Sequence, residues 1–389
     1  MKWIKRQIKS IYHAILWGNY FPQFYKRASR QPLNPNKIIF LEKKGDKLSN
    51  NLQLIYSQLE KATKYDLHIH YLHEGTTSNW QYFQNSRRCL KDAATAKTIF
   101  LDDGSRLFGC IDLRGGSQIA QVWHGCGVLK RAGLSTIGSE FGTGKEDDLK
   151  YPYYANYKVV PVSSPEVVWA HQEGMGIAKD SGIVKPLGVS RTDVFFQEEF
   201  QQKAYERIWQ QVPATKDKKI ILYAPTYRGD IKNAKAPDGL DLIKMKEQLS
   251  SEYVILIKQH PFVKNRPLIT ADIKNFAFDV TDTCTIDDLI CVSDICISDY
   301  SSLVFEYSLM NRPIIFFAYD LESYDEVRGF YYDYEELTPG PVLKTTKEVI
   351  AQIENIDKYD LAKVAKFKER FMSSCDGNAT KRLLDFLDL

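Results

Sequence analysis

Two runs of alternating strand and helix, separated by the polar stretch Pro213-Ala-Thr-Lys-Asp-Lys218, constrain this chain more than any other feature. Short β-branched and aromatic runs with amphipathic segments between them satisfy their backbone and their apolar faces together only as parallel sheets covered by helices, because a parallel neighbour needs a crossover connection. In the first run the spacing predicts strands at 37–41, 65–72, 98–101, 118–123 and 157–162, with helices at 50–64, 80–96 and 165–174. A helix at 197–211 leads into the linker. The second run predicts strands at 219–224, 253–258, 276–280, 295–297 and 313–317, with helices at 241–250, 286–292 and 302–310. Helices at 346–356, 361–372 and 380–387 close the chain. The fold class expected is α/β, with two Rossmann-like domains, 36–212 and 213–389, facing a central cleft at the carboxyl ends of their strands. A length of 389 residues is enough for each to bury its own core.

Charge sets the first 35 residues apart. The whole chain carries only +3, so it has no general affinity for polyanions and no nucleic-acid partner is expected. Eight of its 52 Lys and Arg nevertheless precede Glu42, the first acid. Residues 2–17 place Ile4, Ile8, Ile11, Tyr12 and Ile15 on one helical face and Lys2, Lys5, Arg6 and Lys9 on the other, with Trp3 and Trp17 near the ends. Such a basic amphipathic helix suits an anionic membrane surface, with Trp3, Lys5, Arg6, Lys9 and Trp17 as its contacts. The alternative is a helix packed on the protein's own body. It is too short and too charged to span a bilayer or serve as a signal peptide. Seven cysteines, without paired or zinc-type spacing, read as reduced and mostly buried.

Polar residues that could carry chemistry gather where strands end. His124 closes Gln121-Val-Trp-His-Gly125, and His260 closes Ile257-Lys-Gln-His-Pro261. Each taken separately suits a structural role. Facing one another across a cleft, the two become an acid–base pair, because imidazole titrates near neutrality. Gly125 permits close backbone approach. The turn Ala224-Pro-Thr-Tyr-Arg-Gly-Asp230 offers Thr226 as a donor and Arg228 as a planar fork for phosphate. Ser298-Asp-Tyr-Ser-Ser302 then runs from a buried strand into a helix carrying Glu306. A helix opening there would aim backbone amides, with Ser298, Asp299, Ser301 and Ser302, at an anion. Arg328, in the aromatic loop Glu326 to Tyr334, adds a cation. His68, His70 and His73 show no closed ligand set, so neither a metal nor a cofactor is expected.

Trp123-His-Gly125 with Lys130, Gly188-Val-Ser-Arg-Thr-Asp193, Tyr223-Ala-Pro-Thr-Tyr-Arg228, His260-Pro261, Ser298-Asp-Tyr-Ser-Ser302, and Arg328-Gly-Phe-Tyr-Tyr-Asp333 through Pro339-Gly-Pro341 stand in an order that resembles the CDP-glycerol glycerophosphotransferases. These are the teichoic acid glycerol- and ribitol-phosphate primases and polymerases of Gram-positive bacteria. The resemblance covers residues 118–342. It implies a GT-B fold with an N-terminal acceptor domain and a C-terminal CDP-polyol domain. It also implies transfer of glycerol or ribitol phosphate from CDP-glycerol or CDP-ribitol to an undecaprenyl-diphosphate-linked saccharide or teichoic acid, at the cytoplasmic face of the membrane, with release of CMP. His124 and His260 would be catalytic. Gly125, Lys130, Thr226, Arg228, Ser298, Asp299, Ser301, Ser302, Glu306 and Arg328 would bind substrate. A GT-B glycosyltransferase using a nucleotide sugar is the competing activity, since a fold does not fix a function.

Overall fold

The computed structural model describes residues 10–137, 149–230 and 233–389, without the side chains of 325–328. The chain forms two compact units. One comprises residues 1–125, 132–191 and 378–389; the other comprises 126–131 and 192–377.

The first unit holds a six-stranded sheet: β1 (Asn34–Glu42), β2 (Asp66–Tyr71), β3 (Ala96–Leu101), β4 (Gln118–Gln121), β5 (Tyr157–Pro161) and β6 (Val184–Lys185). Their order is β2-β1-β3-β4-β5-β6, and every neighbouring pair is parallel. Strand order reverses between β1 and β3, which is where a doubly wound sheet leaves a crevice beyond its carboxyl ends. Ile38, Phe40, Phe100, Ala120 and Val159 form the core with Leu52, Ile55 and Leu59 of the helix Asn50–Lys61.

Leu383, Leu384 and Leu387 complete that core from the far end of the chain. They lie in and just after the helix Ala379–Phe386, which is tied down by Arg382 Nε donating to Leu187 O (2.9 Å) and Gln118 Nε2 donating to Leu387 O (2.8 Å). The expected division at 212/213 differs from this partition at three places. Residues 192–212, with the helix Glu198–Gln211, side with the second unit, residues 126–131 do so too, and the last helix sides with the first.

The second sheet contains β7 (Lys219–Ala224), β8 (Tyr253–Ile257), β9 (Ala277–Asp279), β10 (Ile295–Ser298), β11 (Ile314–Phe317) and β12 (Val342–Leu343). Its order, β12-β11-β10-β7-β8-β9, is again wholly parallel and reverses between β7 and β10. Burial on both faces explains why these strands read as continuous apolar runs: β8, Tyr-Val-Ile-Leu-Ile, is buried throughout.

The N-terminal segment departs from the expected surface helix. Residues 10–15 are α-helical, Leu16–Tyr20 make a π-turn and Phe21–Ala28 continue as an α-helix. Trp17, expected at a membrane, is instead buried, with its ring 5.1 Å from Phe21 and 6.4 Å from Tyr82. Phe21 in turn meets Phe83 at 5.8 Å, so this segment covers the helix Asn79–Ala93 with its aromatic face. Trp3, Lys5, Arg6 and Lys9 lie outside the described residues. Among the described residues no helix is long and apolar enough to cross a membrane. Six of the seven cysteines are buried.

Candidate functional site

The site residues fall into two groups, one in each unit. In the first unit, Gln121 at the end of β4 is fully buried and acts as a clamp. Its amide nitrogen donates to Asp103 O (2.8 Å), and its oxygen accepts from Trp123 N (3.0 Å). The chain beyond it turns sharply, with Trp123 at φ +59°. A bulky aromatic in the left-handed region stores about 1–3 kcal/mol of strain and persists only where its surroundings over-determine it. This turn leaves His124 exposed beside the Trp123 ring, 4.2 Å between centroids, with Nδ1 3.1 Å from Asp102 O. A carbonyl accepts only from a protonated nitrogen, so the neutral ring carries its proton on Nδ1 and keeps the Nε2 lone pair available as a base.

After Gly125 the chain enters the second unit. Gly127 adopts φ +61°, and a Cβ there would stand 2.3 Å from the fully buried ring of Phe305, so only glycine fits. Residues 129–131 then pair with 329–331. Tyr331 N donates to Leu129 O (3.0 Å), Arg131 N donates to Gly329 O (3.2 Å), and Lys130 bridges Phe330. This pairing holds Lys130 with its Nζ 3.2 Å from Tyr324 Oη.

His260 follows β8. Phe262 N donates to its Nδ1 (3.2 Å), which puts the proton of the neutral ring on Nε2, the opposite tautomer to His124. Burial, and then the Lys130 ammonium, hold His260 below its ordinary pKa of 6.5. The result is a neutral N–H donor with a lysine charge nearby, an arrangement suited to an anion. Tyr227 and Phe262 flank the ring at 4.9 and 4.6 Å.

The reversal point between β7 and β10 is stitched by residues that sequence reasoning assigned to substrate. Ser298 Oγ donates to Ala224 O (2.7 Å), and Thr226 N donates to Asp299 Oδ1 (2.8 Å). Arg228 was expected to offer its fork to phosphate, but Asp320 already takes the fork through Nε (2.5 Å) and Nη2 (2.9 Å). Nη1 meets Thr226 O (2.5 Å) and Asp299 Oδ2 (3.0 Å). Burial disfavours the guanidinium, but Asp299 and Asp320 outweigh that and hold its pKa above the ordinary value. Burial raises the Asp299 carboxyl, against the pull of Arg228 and the Thr226 and Tyr300 amides. Tyr300 Oη completes the network by donating to Asp320 Oδ1 (2.9 Å), its ring stacked 3.8 Å from Tyr324.

The helix expected to open at Ser302 runs only from Leu303 to Ser308, with Glu306 buried in it. Its first amides are spent locally. Leu303 N donates to Ser301 Oγ (3.3 Å), Val304 N to Ser301 O (3.5 Å) and Phe305 N to Ser302 O (3.1 Å). Ser302 is exposed at the turn. The stretch read as an aromatic loop begins inside a helix, Leu321–Arg328, that ends at Gly329 (φ +68°). The Arg328 side chain lies outside the described residues.

Asp320 and Tyr324 escaped the sequence reading, and Tyr300 stood there only as part of the Ser298–Ser302 motif, not as a site residue. Asp320 sits just beyond β11 and Tyr324 within a helix that no local pattern marks as polar chemistry. A second omission is Asp92, whose carboxylate draws His68 (2.7 Å) and His70 (2.9 Å) together. These three could hold a metal among the described residues, but the Lys37 ammonium pairs directly with Asp92 and already supplies the cation.

Residues 23–388 match the family model of CDP-glycerol:poly(glycerophosphate) glycerophosphotransferases. The chain is 33% identical over 91% of its length to a teichoic acid poly(ribitol-phosphate) polymerase of Bacillus spizizenii, of which it spans 56%. It is 29% identical to a teichoic acid ribitol-phosphate primase of the same organism, covering 98% of each. In fold it is similar to a variant of the wall teichoic acid polymerase TagF with CDPG. That match has a TM-score of 0.78 at 23% identity, covering 99% of this chain and 97% of that one, and it bears out the two-sheet GT-B-type architecture.

Proposed function

The chain belongs to the CDP-glycerol:poly(glycerophosphate) glycerophosphotransferase family, and from that premise we propose that it transfers glycerol or ribitol phosphate from a CDP-polyol to a lipid-linked teichoic acid acceptor. The observation that carries the reading is the neutral, Nε2-protonated His260 beside Lys130 at the strand ends of a doubly wound sheet. That pair suits the diphosphate of the donor, with the exposed Ser302 hydroxyl at the turn after β10 as a further donor. Arg228 acts as a positioning residue, fixing the Thr226 turn against Asp299 and Asp320.

In the proposed reaction, His124 Nε2 takes the proton of an acceptor hydroxyl as its oxygen attacks the polyol-bearing phosphorus. The bond between that phosphorus and the bridging oxygen breaks, CMP leaves with the electron pair, and the polyol phosphate is joined to the acceptor. Stabilising the charge that develops on the diphosphate supplies most of the rate in such a transfer. The test is CMP release from CDP-glycerol, CDP-ribitol and a UDP-sugar control on a defined lipid-linked acceptor. His124→Ala should abolish transfer and leave CDP-polyol affinity unchanged. Transfer from the UDP-sugar alone would assign the chain to nucleotide-sugar chemistry instead.

We further propose peripheral attachment to the anionic cytoplasmic face of the membrane through the N-terminus. In support, Ile11 and Ile15, one helical turn apart, are 59% and 57% exposed, although Trp17 is not available for it. Loss of sedimentation with anionic vesicles on Ile11→Ser/Ile15→Ser would bear this out, and unchanged sedimentation would remove it.

A further inference from the structure

The first unit contains a cavity of about 250 Å³ whose lining includes Lys43, Asp103, Gly104, Tyr153, Tyr154 and Met175. Lys43 directly follows β1, and Asp103 and Gly104 follow β3, so the cavity opens at the reversal point of the first sheet, where doubly wound sheets bind ligands. It also borders on the residues that hold His124. Asp102, whose carbonyl orients the His124 ring, immediately precedes the lining residues, and the Trp123 ring lies 6.2 Å from Tyr154, edge to face.

The charge of the cavity identifies its ligand. Lys43 Nζ is 3.2 Å from Asp103 Oδ2, 2.9 Å from Gly104 O and 3.7 Å from Glu74 Oε2. Its positive charge is therefore balanced before any ligand arrives, and a phosphate would meet the Asp103 carboxylate as well as the ammonium. What remains is a fixed donor–acceptor pair beside two aromatic rings. Arg106 braces Tyr153 at 4.3 Å from its centroid. Gly104 leaves room for Tyr154, whose ring edge would be 2.7 Å from any Cβ there. Aromatic faces with a few placed polar groups suit a molecule with C–H faces and many hydroxyls.

Resting on the function proposed above, we infer that this cavity takes the uncharged, hydroxyl-bearing terminus of the acceptor, a polyol or sugar unit, and presents one hydroxyl to His124. It thereby distinguishes a growing end that terminates in hydroxyls from one that terminates in phosphate.

The test uses soluble glycerol- or ribitol-terminated oligomers, and the same oligomers capped with a terminal phosphate, each measured by saturation-transfer NMR on the full chain. The uncapped oligomers should bind and the capped ones should bind at least about tenfold more weakly. Tyr153→Ala and Lys43→Gln should raise the acceptor KM about tenfold and leave CDP-polyol affinity, read by calorimetry, unchanged. Tyr153→Phe keeps the ring and serves as the folding control, with acceptor KM near wild type. Equal binding of capped and uncapped oligomers, or an unchanged acceptor KM in folded Tyr153→Ala, would overturn the inference. If the wild-type chain bound the uncapped oligomer yet released no CMP from any CDP-polyol, the proposed reaction would fail while the cavity assignment stood.

Discussion

Replacing Asp320 with alanine removes three hydrogen bonds at once: two from Arg228, at 2.5 and 2.9 Å, and one from Tyr300 Oη at 2.9 Å. The side chains of Arg228 and Asp320 are 19% and 21% exposed, so the loss lies between two limits. Breaking a fully buried pair costs about 3–5 kcal/mol and breaking a surface pair less than about 1 kcal/mol. Because Arg228 keeps Asp299 and the Thr226 carbonyl, about 2–3 kcal/mol is expected. For a unit of this size that corresponds to a fall in Tm on the order of 5–10 °C. The assay is thermal and urea unfolding of Asp320→Ala, Arg228→Met and the double variant. A coupling energy of at least about 1.5 kcal/mol is expected from the cycle. The donor KM should also rise, because the Thr226 turn loses its brace. A coupling energy indistinguishable from zero would refute the view that Arg228 acts through Asp320, and would return Arg228 to the role of a ligand-facing cation.

Gly127→Ala should cost about 2–4 kcal/mol, from left-handed φ together with overlap on the Phe305 ring, and denaturant midpoints would report it. Lys130→Gln should move the His260 titration up toward 6.5, its burial still holding it below, as read from histidine NMR shifts against pH. Because the folded pKa is depressed, His260 contributes stability that is present above 6.5 and lost as pH falls through the folded value. The Lys130→Gln variant should show a smaller loss across that window. Trp17→Ala should destabilise the first unit by about 3–5 kcal/mol, since the ring is core. A Tm equal to wild type would restore the surface reading.

The strands were legible because a parallel sheet buried on both faces writes itself as uninterrupted apolar runs: β7 spans Lys219–Ala224, the range its sequence predicts. The helix Ile286–Val292 likewise has the bounds expected of it. His124 and His260 were visible as candidates because a polar residue ending such a run stands out. Two-residue strands such as β6 and β12 carry no periodicity and left no trace. Asp320 and Asp92 were hidden for another reason. Their partners, Arg228 and the pair His68 and His70, are far away in sequence, and only the packing of strands with the segments that follow or cover them brings them into contact. Arg228 misled because an arginine beside a strand end reads the same whether its fork meets phosphate or a buried carboxylate.

The placement of Leu383, Leu384 and Leu387 in the first unit's core has a consequence for the order of synthesis. These side chains together account for about 5 kcal/mol of burial, comparable with the whole net stability of a domain. Residues 192–377 of the second unit are synthesised before them. The first unit thus stays short of its full core until the second has been made, and a chain cut before Asn378 would present an incomplete first unit to proteases. Residues 378–389 act as a completion signal: the first unit reaches its full stability only after the second has left the ribosome.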